Sequence, residues 1–406
     1  MARNASADTR RRPKDRKAQI ARAAAEAFSE LGYHGVSMES IAARVGISAA
    51  ALYRHYSSKY ELFRGAVLSL GQQLVDGTAG TTAGDPQQRF DALVGALVDV
   101  ALANRTSGGL YRWEGRYLND HDQAELLAQL GAVHERIHTL LASLRPGLDR
   151  RQYMMLSTAV LSVVGSIVDH RAKLPAAAVR ELLTQLANAA VRAELPAGSG
   201  SAESRAAAPV TAEPSKYEAL LRESLRLFYR DGYRETSMED IATAVGIPTS
   251  GIYKYFSGKG DILAALFRRA SDRVSAEVAT AIASATAPAD ALAAIVDGYV
   301  TRTFDQPELE YVYYTERLNM SAADQRIVRD LQRSVVDSWV DLVVAMRPNW
   351  SPAQARFAVH AAMALVIDLG RLERYPDSPH TRAVVIELVE AVLLGNYRLR
   401  ATLPSM

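Results

Sequence analysis

The sequence predicts an all-α protein built as a tandem duplication, and three observations carry that reading. Between glycine and proline breakers, nearly every segment repeats its apolar residues at three and four positions, the spacing of a helix packed on a core. No segment alternates apolar and polar residues as a half-buried strand would. Shifted by 200 positions, the chain lies over itself: 14 of the 36 positions between 28 and 63 are identical in 228–263, without a gap.

The elements follow in order. Ile20, Ala23, Ala24, Ala27, Phe28 and Leu31 trace one helical face. Ser37 offers an N-cap for a helix over Met38–Val45 that Gly46 stops, and Ser48 opens a short helix reaching about His55. Ser57 or Ser58 caps a fourth helix holding Leu62, Phe63 and Val67. Longer helices are expected after Pro86, at roughly 87–105, 109–118, 121–144, 150–171 and 176–194. The second copy repeats them at roughly 288–304, 308–319, 322–346, 352–373 and 380–400. Tyr111, Leu118 and Asn119 find Tyr311, Leu318 and Asn319 at the same shift, while Arg145-Pro146 finds Arg347-Pro348 at a slightly longer one. Pro196–Ser215, rich in Ala, Ser, Gly and Pro, reads as a flexible linker. The domains expected are therefore two helix-turn-helix heads, 1–67 and 215–268, and two helical bodies, 68–195 and 269–406, joined through 196–214.

Composition bounds the function. At 406 residues and 44.1 kDa the chain exceeds one ordinary core, and 49% hydrophobic residues exclude a mainly disordered polymer. A net charge of +2 excludes an evenly basic nucleic-acid coat, yet the charge is unevenly spread. Residues 1–64 hold 12 basic against 6 acidic side chains and 215–269 hold 9 against 7, so the remainder is acidic. Positive charge gathers on the two heads. The absence of cysteine excludes disulfides, thiolate zinc sites and cysteine nucleophiles, and suits a cytoplasmic address. The basic stretch Met1–Lys17 has no apolar run behind it, so no signal peptide is expected. Tyr153–Val168 is the longest apolar stretch, broken by Ser157, Thr158, Ser162 and Ser166; a buried core helix explains it better than a membrane span of about 20 residues.

The paired short helices around Gly46 form a helix-turn-helix. Ile41, Ala42, Val45, Ile47 and Leu52 are spaced to bury one face, which turns Ser48, Ala49, Ala50, Arg54 and His55 outward. Small side chains at Ala49 and Ala50 let the helix approach the major groove, and Tyr53, Arg54, His55 and Lys59 can reach phosphates or base edges. These residues, with Gly32-Tyr33, Ser37-Met38-Glu39-Ser40-Ile41-Ala42 and Leu52-Tyr53-Arg54-His55-Tyr56, resemble the DNA-binding domain of TetR-family repressors. The copy from Tyr217 to Phe267, with Ile252-Tyr253-Lys254-Tyr255-Phe256, resembles it equally well. The tandem layout looks like that of actinobacterial double repressors, including one of a mycobacterial lipid-import operon.

The resemblance implies a repressor released by a small ligand. By motif position it implies DNA contacts at Ser37, Ala49, Ala50, Tyr53, His55 and Lys59, and at Ser237, Thr249, Ser250, Tyr253, Tyr255 and Lys259, with Arg54 and Lys254 beside them. Ordinary members carry one unit and dimerise. Two units imply a single-chain pseudo-dimer closed by the last two helices of each body. A ligand-responsive activator fits the same residues. An arm of Arg10, Arg11, Arg12 and Lys14 precedes the first head alone, as a minor-groove contact would require.

The bodies say less. Trp113, Arg116 and Tyr117, and Tyr311, Tyr314 and Arg317, suit an acyl or steroid-derived acid, with arginine on the anionic head; a filled helical core would place the same residues there. No cofactor and no membrane contact is expected. His134-Glu135-Arg136-Ile137-His138 matches the H-E-x-x-H of zinc peptidases. No third ligand follows at a familiar spacing, and Ser334 and Ser338 stand at the shifted positions, so a fortuitous pair on an amphipathic helix is the simpler reading.

Overall fold

A computed structural model of the protein describes residues 13–80, 83–196 and 215–395. The arm residues Arg10, Arg11 and Arg12 and the linker stretch 197–214 lie outside the described residues, as does the side chain of Lys14. The first copy comprises α1 (Pro13–Gly35), α2 (Met38–Arg44), α3 (Ala49–Tyr53), α4 (Lys59–Thr78), α5 (Pro86–Ala103), α6 (Leu110–Trp113), α7 (Asp120–Leu144), α8 (Arg150–Gly165) and α9 (Ala176–Arg192). The second comprises α10 (Lys216–Arg230), α11 (Met238–Val245), α12 (Thr249–Ile252), α13 (Lys259–Ser284), α14 (Pro288–Asp305), α15 (Pro307–Glu316), α16 (Ala322–Met346), α17 (Pro352–Glu373) and α18 (Pro379–Leu394). Among the described residues there is no strand, so the protein is all-α.

Two differences from the expected elements have simple causes. The segment after Gly109 makes a single helical turn followed by a 3-10 turn, Gly115–Tyr117, and α8 likewise stops at Gly165 in a 3-10 turn, Ser166–Val168. The bodies also repeat at 202 positions rather than 200. Pro86 and Pro288 open α5 and α14, and α7 and α16 are both 25 residues long. The extra two residues fall between the start of α13 and Pro288. The counterparts of Tyr111, Leu118 and Asn119 are therefore Tyr313, Met320 and Ser321.

The chain divides into two compact units, Met1–Gly80 with Ala103–Val133, and Thr81–Leu102 with His134–Met406. In the first, Phe28, Ile41, Leu52, Leu62 and Phe63 are fully buried, and Phe28 meets Phe63 edge-on at 5.1 Å. Each such side chain contributes about 2–3 kcal/mol by leaving water, so the head has its own core. In the second unit Phe228, Ile241, Ile252, Ile262 and Leu263 form the matching core.

The second unit also holds the last two helices of both copies. There α8 packs on α17, α9 on α18, and each pair on itself. Ala358, Ala361 and Ala362 on α17 are fully buried, and their small side chains let a neighbouring helix come close. Ser162 donates to Asp368 (2.7 Å), and Arg151 donates to Glu373 and to Thr381 (each 2.9 Å), pinning the copies together. Arg150–Val168 is the helix long and apolar enough to cross a membrane among those described, but 56% of that window is buried. Its residues Leu156, Ala159, Val160 and Val163 are fully buried, as a core helix requires.

Candidate nucleic-acid interface

The heads are built by side-chain caps and one glycine. Ser37 accepts from the Ser40 amide (3.1 Å) while Ser40 accepts from the Ser37 amide (3.2 Å), closing a capping box on α2. Gly46, at φ +67°, ends α2 in the left-handed conformation and turns the chain toward α3. Ser48 and Ser58 then cap α3 and α4. The second head solves the same problem with different residues. Asp240 replaces Ser40 and accepts from both the amide (2.8 Å) and the hydroxyl (2.6 Å) of Ser237, which hold its carboxyl below the usual carboxylate range. Pro248 stands at the α12 cap, and Asp261 accepts from the Ser257 amide (3.0 Å) where Gly258 offers no side chain.

Position by position, from 41 to 60 and from 241 to 260, the two heads bury and expose the same residues. Leu52 and Ile252 are fully buried beneath the short helices. Above them Ala50, Arg54 and His55, and Ser250, Lys254 and Tyr255, are exposed, while Ala49 and Thr249 are half-buried. Tyr53 is 48% and Tyr253 54% exposed, so neither ring is a core residue. Ser37 and Ser237 are exposed at the N-terminal ends of α2 and α11. One face of each head is thus exposed, lined by small, polar, basic and aromatic side chains.

Lys59 and Lys259 are placed differently from what their sequence position alone suggests. The Lys59 ammonium donates to the carbonyls of Tyr33 (3.0 Å) and Val36 (3.2 Å) and lies 4.5 Å from the Tyr33 ring. Lys259 donates to Tyr233 (2.5 Å), Arg234 (3.2 Å) and Thr236 (2.7 Å), 4.6 Å from the Tyr233 ring. Burial pulls the Lys259 pKa down. Each lysine ties the start of its fourth helix to the end of the first and the loop after it. A phosphate contact would have to be made in addition to these bonds.

Sequence reasoning missed the residues that join the fourth helix of each head to the body. Asp122, buried in the first turn of α7, accepts from Tyr60 (2.5 Å) and Arg64 (2.6 Å) on α4. Burial works to raise its pKa, and the bonds from Arg64 and Tyr60 outweigh burial and hold it down. Glu114, also buried, accepts from the Tyr33 amide (2.9 Å). In the second unit Asp324 pairs with Arg268, one turn farther along α13. The paired acids stand 202 apart, a signal visible only in the corrected register.

The ligand candidates are divided. Tyr117 stacks on Tyr33 at 5.2 Å, and Arg116 donates to the Tyr117 hydroxyl (2.8 Å). Trp113 lies nearby at the end of α6. Tyr311 meets Tyr229 of α10 edge-on at 5.2 Å. Tyr117 and Tyr311 thus pack body against head. Arg317 donates to the Tyr314 carbonyl (2.6 Å). His134 is half-buried with Nδ1 3.1 Å from Ser157 Oγ, and burial lowers its pKa. His138 rests edge-on against Tyr153. In the corrected register the second copy has the buried Val336 and Val340 there, as an apolar helix face would. The one grouping of three ligand atoms among the described residues is His121, Asp122 and Glu125, and its Asp122 is committed to Arg64 and Tyr60.

The profile of the tetR family of bacterial regulatory proteins matches residues 20–66 and 220–266. The chain is 31% identical over 157 residues to the HTH-type transcriptional activator FasR of Mycolicibacterium smegmatis, which is 38% of this chain and 71% of that protein. It is 37% identical over 114 residues to IcaR of Staphylococcus epidermidis, the HTH-type negative transcriptional regulator of the biofilm operon icaADBC. That match covers 28% of this chain and about half of IcaR, 51%. The solved TetR-family regulator PfmR of Thermus thermophilus, 22% identical, is covered in full by 46% of this chain with a TM-score of 0.39. Both relatives matched in sequence are transcriptional regulators, not enzymes. With both heads matched and most of one regulator's length covered, the chain belongs to the tetR family of bacterial transcriptional regulators.

Proposed function

We propose that the chain is a cytoplasmic repressor that holds one operator with two unequal heads and lets go when a small molecule binds a body. One observation carries this: a single chain has two heads with the same exposure pattern, and the last two helices of its copies pack together as a dimer interface would. Because Ala49 and Ala50 correspond to Thr249 and Ser250 in the other head, the operator need not be palindromic. Binding in a body would reach the heads through the Asp122 and Asp324 pairs, and it releases DNA only if the ligand prefers the arrangement that DNA does not.

A ligand-responsive activator is the second reading, since one relative is an activator and another a negative regulator. An acyl or steroid-derived acid, with a role in lipid metabolism, would need Arg116 or Arg317, and both lie against tyrosines. The effector is therefore proposed as a small molecule bound in a body. The test is a gel shift on the DNA upstream of the protein's own gene, with and without lipid extracts, and light scattering of the complex. One chain on the shortest competent duplex is expected; two chains would refute the single-chain reading.

A further inference from the structure

Two histidines on α7 carry more structure around them than a chance pair needs. His134 and His138 stand four positions apart, so both imidazoles leave one face of the helix, with Cβ atoms about 6 Å from one another. The following helix, α8, supplies a partner to each. His134 Nδ1 lies 3.1 Å from Ser157 Oγ, and His138 rests edge-on against the Tyr153 ring at 4.9 Å. The Ser157 hydroxyl has one hydrogen, and it goes to the Met154 carbonyl (3.0 Å). Its oxygen therefore faces His134 as an acceptor, which puts the imidazole hydrogen on Nδ1 and the lone pair on Nε2. Among the described residues nothing in the protein bonds that Nε2, and it is not sealed from solvent. Glu135 Oε2, 3.8 Å from His138 Nδ1, draws the hydrogen of the second ring to the same position.

An imidazole whose Nδ1–H is held by an oxygen and whose Nε2 is bare is in the form that binds a metal ion. Two such rings one turn apart close a chelate. The second copy gives up the whole arrangement at once. At 202 positions on stand Val336 and Val340 for the histidines, Val359 for Ser157 and Ala355 for Tyr153, and all four are buried. Ligands and their support change together, as the parts of one site do. Imidazole suits the borderline ions Zn2+, Ni2+ and Cu2+, whereas Mg2+ and Ca2+ take oxygen. We infer that the first body, and not the second, binds one divalent transition-metal ion through His134 Nε2 and His138 Nε2. Ser157 is the outer partner that orients His134, and water completes the coordination. Glu135 is mostly exposed and lies on the Nδ1 side of His138, so it is not placed as the base of a peptidase. The site holds an ion and cleaves nothing.

The test uses the full chain without an affinity tag, stripped with EDTA and titrated with zinc chloride by calorimetry. One Zn2+ per chain is expected, and magnesium chloride should give no binding. His134→Gln and His138→Gln should each abolish the zinc isotherm. Ser157→Ala keeps both imidazoles and removes only the outer oxygen, and it should weaken zinc roughly tenfold to a hundredfold. That loss separates a built site from two surface histidines that meet an ion by chance, which Ser157→Ala would leave unchanged. Should a variant not fold, the unmodified metal-free protein serves. Its imidazole nitrogen NMR spectra should show His134 as the Nδ1–H tautomer, and zinc should move the Nε2 resonances of His134 and His138. Zinc held as tightly after either histidine is replaced, as it would be by His121, Asp122 and Glu125, would overturn the inference. So would an Nε2–H tautomer at His134, or an affinity that Ser157→Ala leaves unchanged.

Discussion

Removing the ammonium of Lys59 or Lys259 separates two roles that the same residue can play. The bonds from Lys59 to Tyr33 and Val36, and those from Lys259 to Tyr233, Arg234 and Thr236, join a charged donor to neutral carbonyls, each about 1.5–3 kcal/mol when buried. Both side chains are half-exposed, so about 1 kcal/mol per bond is the fair figure after solvent screening. Adding about 0.5 kcal/mol for the tyrosine face gives a cost of about 2–3 kcal/mol for Lys59→Ala and about 3–4 for Lys259→Ala. Guanidinium unfolding measures that cost, and hydrogen exchange at the amides of the turn before α2 or α11 locates it. DNA binding is then titrated against salt. A lysine spent on carbonyls leaves the slope of log affinity against log salt unchanged, whereas a lysine on a phosphate lowers it by about one. Unchanged stability together with a slope reduced by one in both variants would refute the reasoning and return the lysines to the DNA.

Three further outcomes are expected. Asp240→Ser copies the capping box of the first head, so α11 should stay folded, while losing a negative charge at the proposed DNA face, on the order of 1 kcal/mol of repulsion in water, should tighten DNA binding a few-fold; a weaker complex in a gel shift would count against placing this helix end at the DNA. Replacing Ala49, Ala50, Thr249 and Ser250 should change which bases are preferred in a selection from random duplexes, and an unaltered preference would mean that α3 and α12 are not the reading helices. His360, stacked at 4.5 Å on His170, has its pKa pushed down to about 4 by burial and by Arg356. The unfolded chain therefore takes the proton first: the stability is complete above the ordinary value of 6.5 and drains away as pH falls toward 4, by about 3 kcal/mol in all. His360→Leu should flatten that part of the pH-stability curve, and an unaltered curve would locate the loss elsewhere.

The heads were legible because their determinants are local. Ser37, Gly46, Ser48 and Ser58 cap or turn the chain through bonds to residues three or four positions away, and Ile41, Leu52 and Phe63 sit at helical spacing. The exposed row from Tyr53 to His55 follows from those buried neighbours. The role of Lys59 was not legible, since its partners are backbone carbonyls 23 and 26 residues earlier, and a carbonyl leaves no mark on sequence. The Asp122 cluster joins side chains some 60 positions apart and carries no motif. The register of the bodies is hidden in the sequence because the two extra residues fall in a stretch too diverged to show an offset. With 200 in place of 202, Asp122 is set against Ala322 instead of Asp324, and the paired acids do not align.

The packing of α8 and α9 on α17 and α18 within one chain also changes how the protein responds to scarcity. Two separate subunits find each other at a rate set by the square of their concentration, and below their dissociation constant they fall apart. Partners on one polypeptide meet at an effective concentration on the order of millimolar, however few copies the cell holds. On the proposed reading of one chain per target, occupancy then rises in direct proportion to copy number, with no threshold and no steepness from assembly. Such a protein can work at a handful of molecules per cell. On the same reading its halves are not exchanged with those of a related regulator, so neither half is held to the sequence that a shared interface would impose.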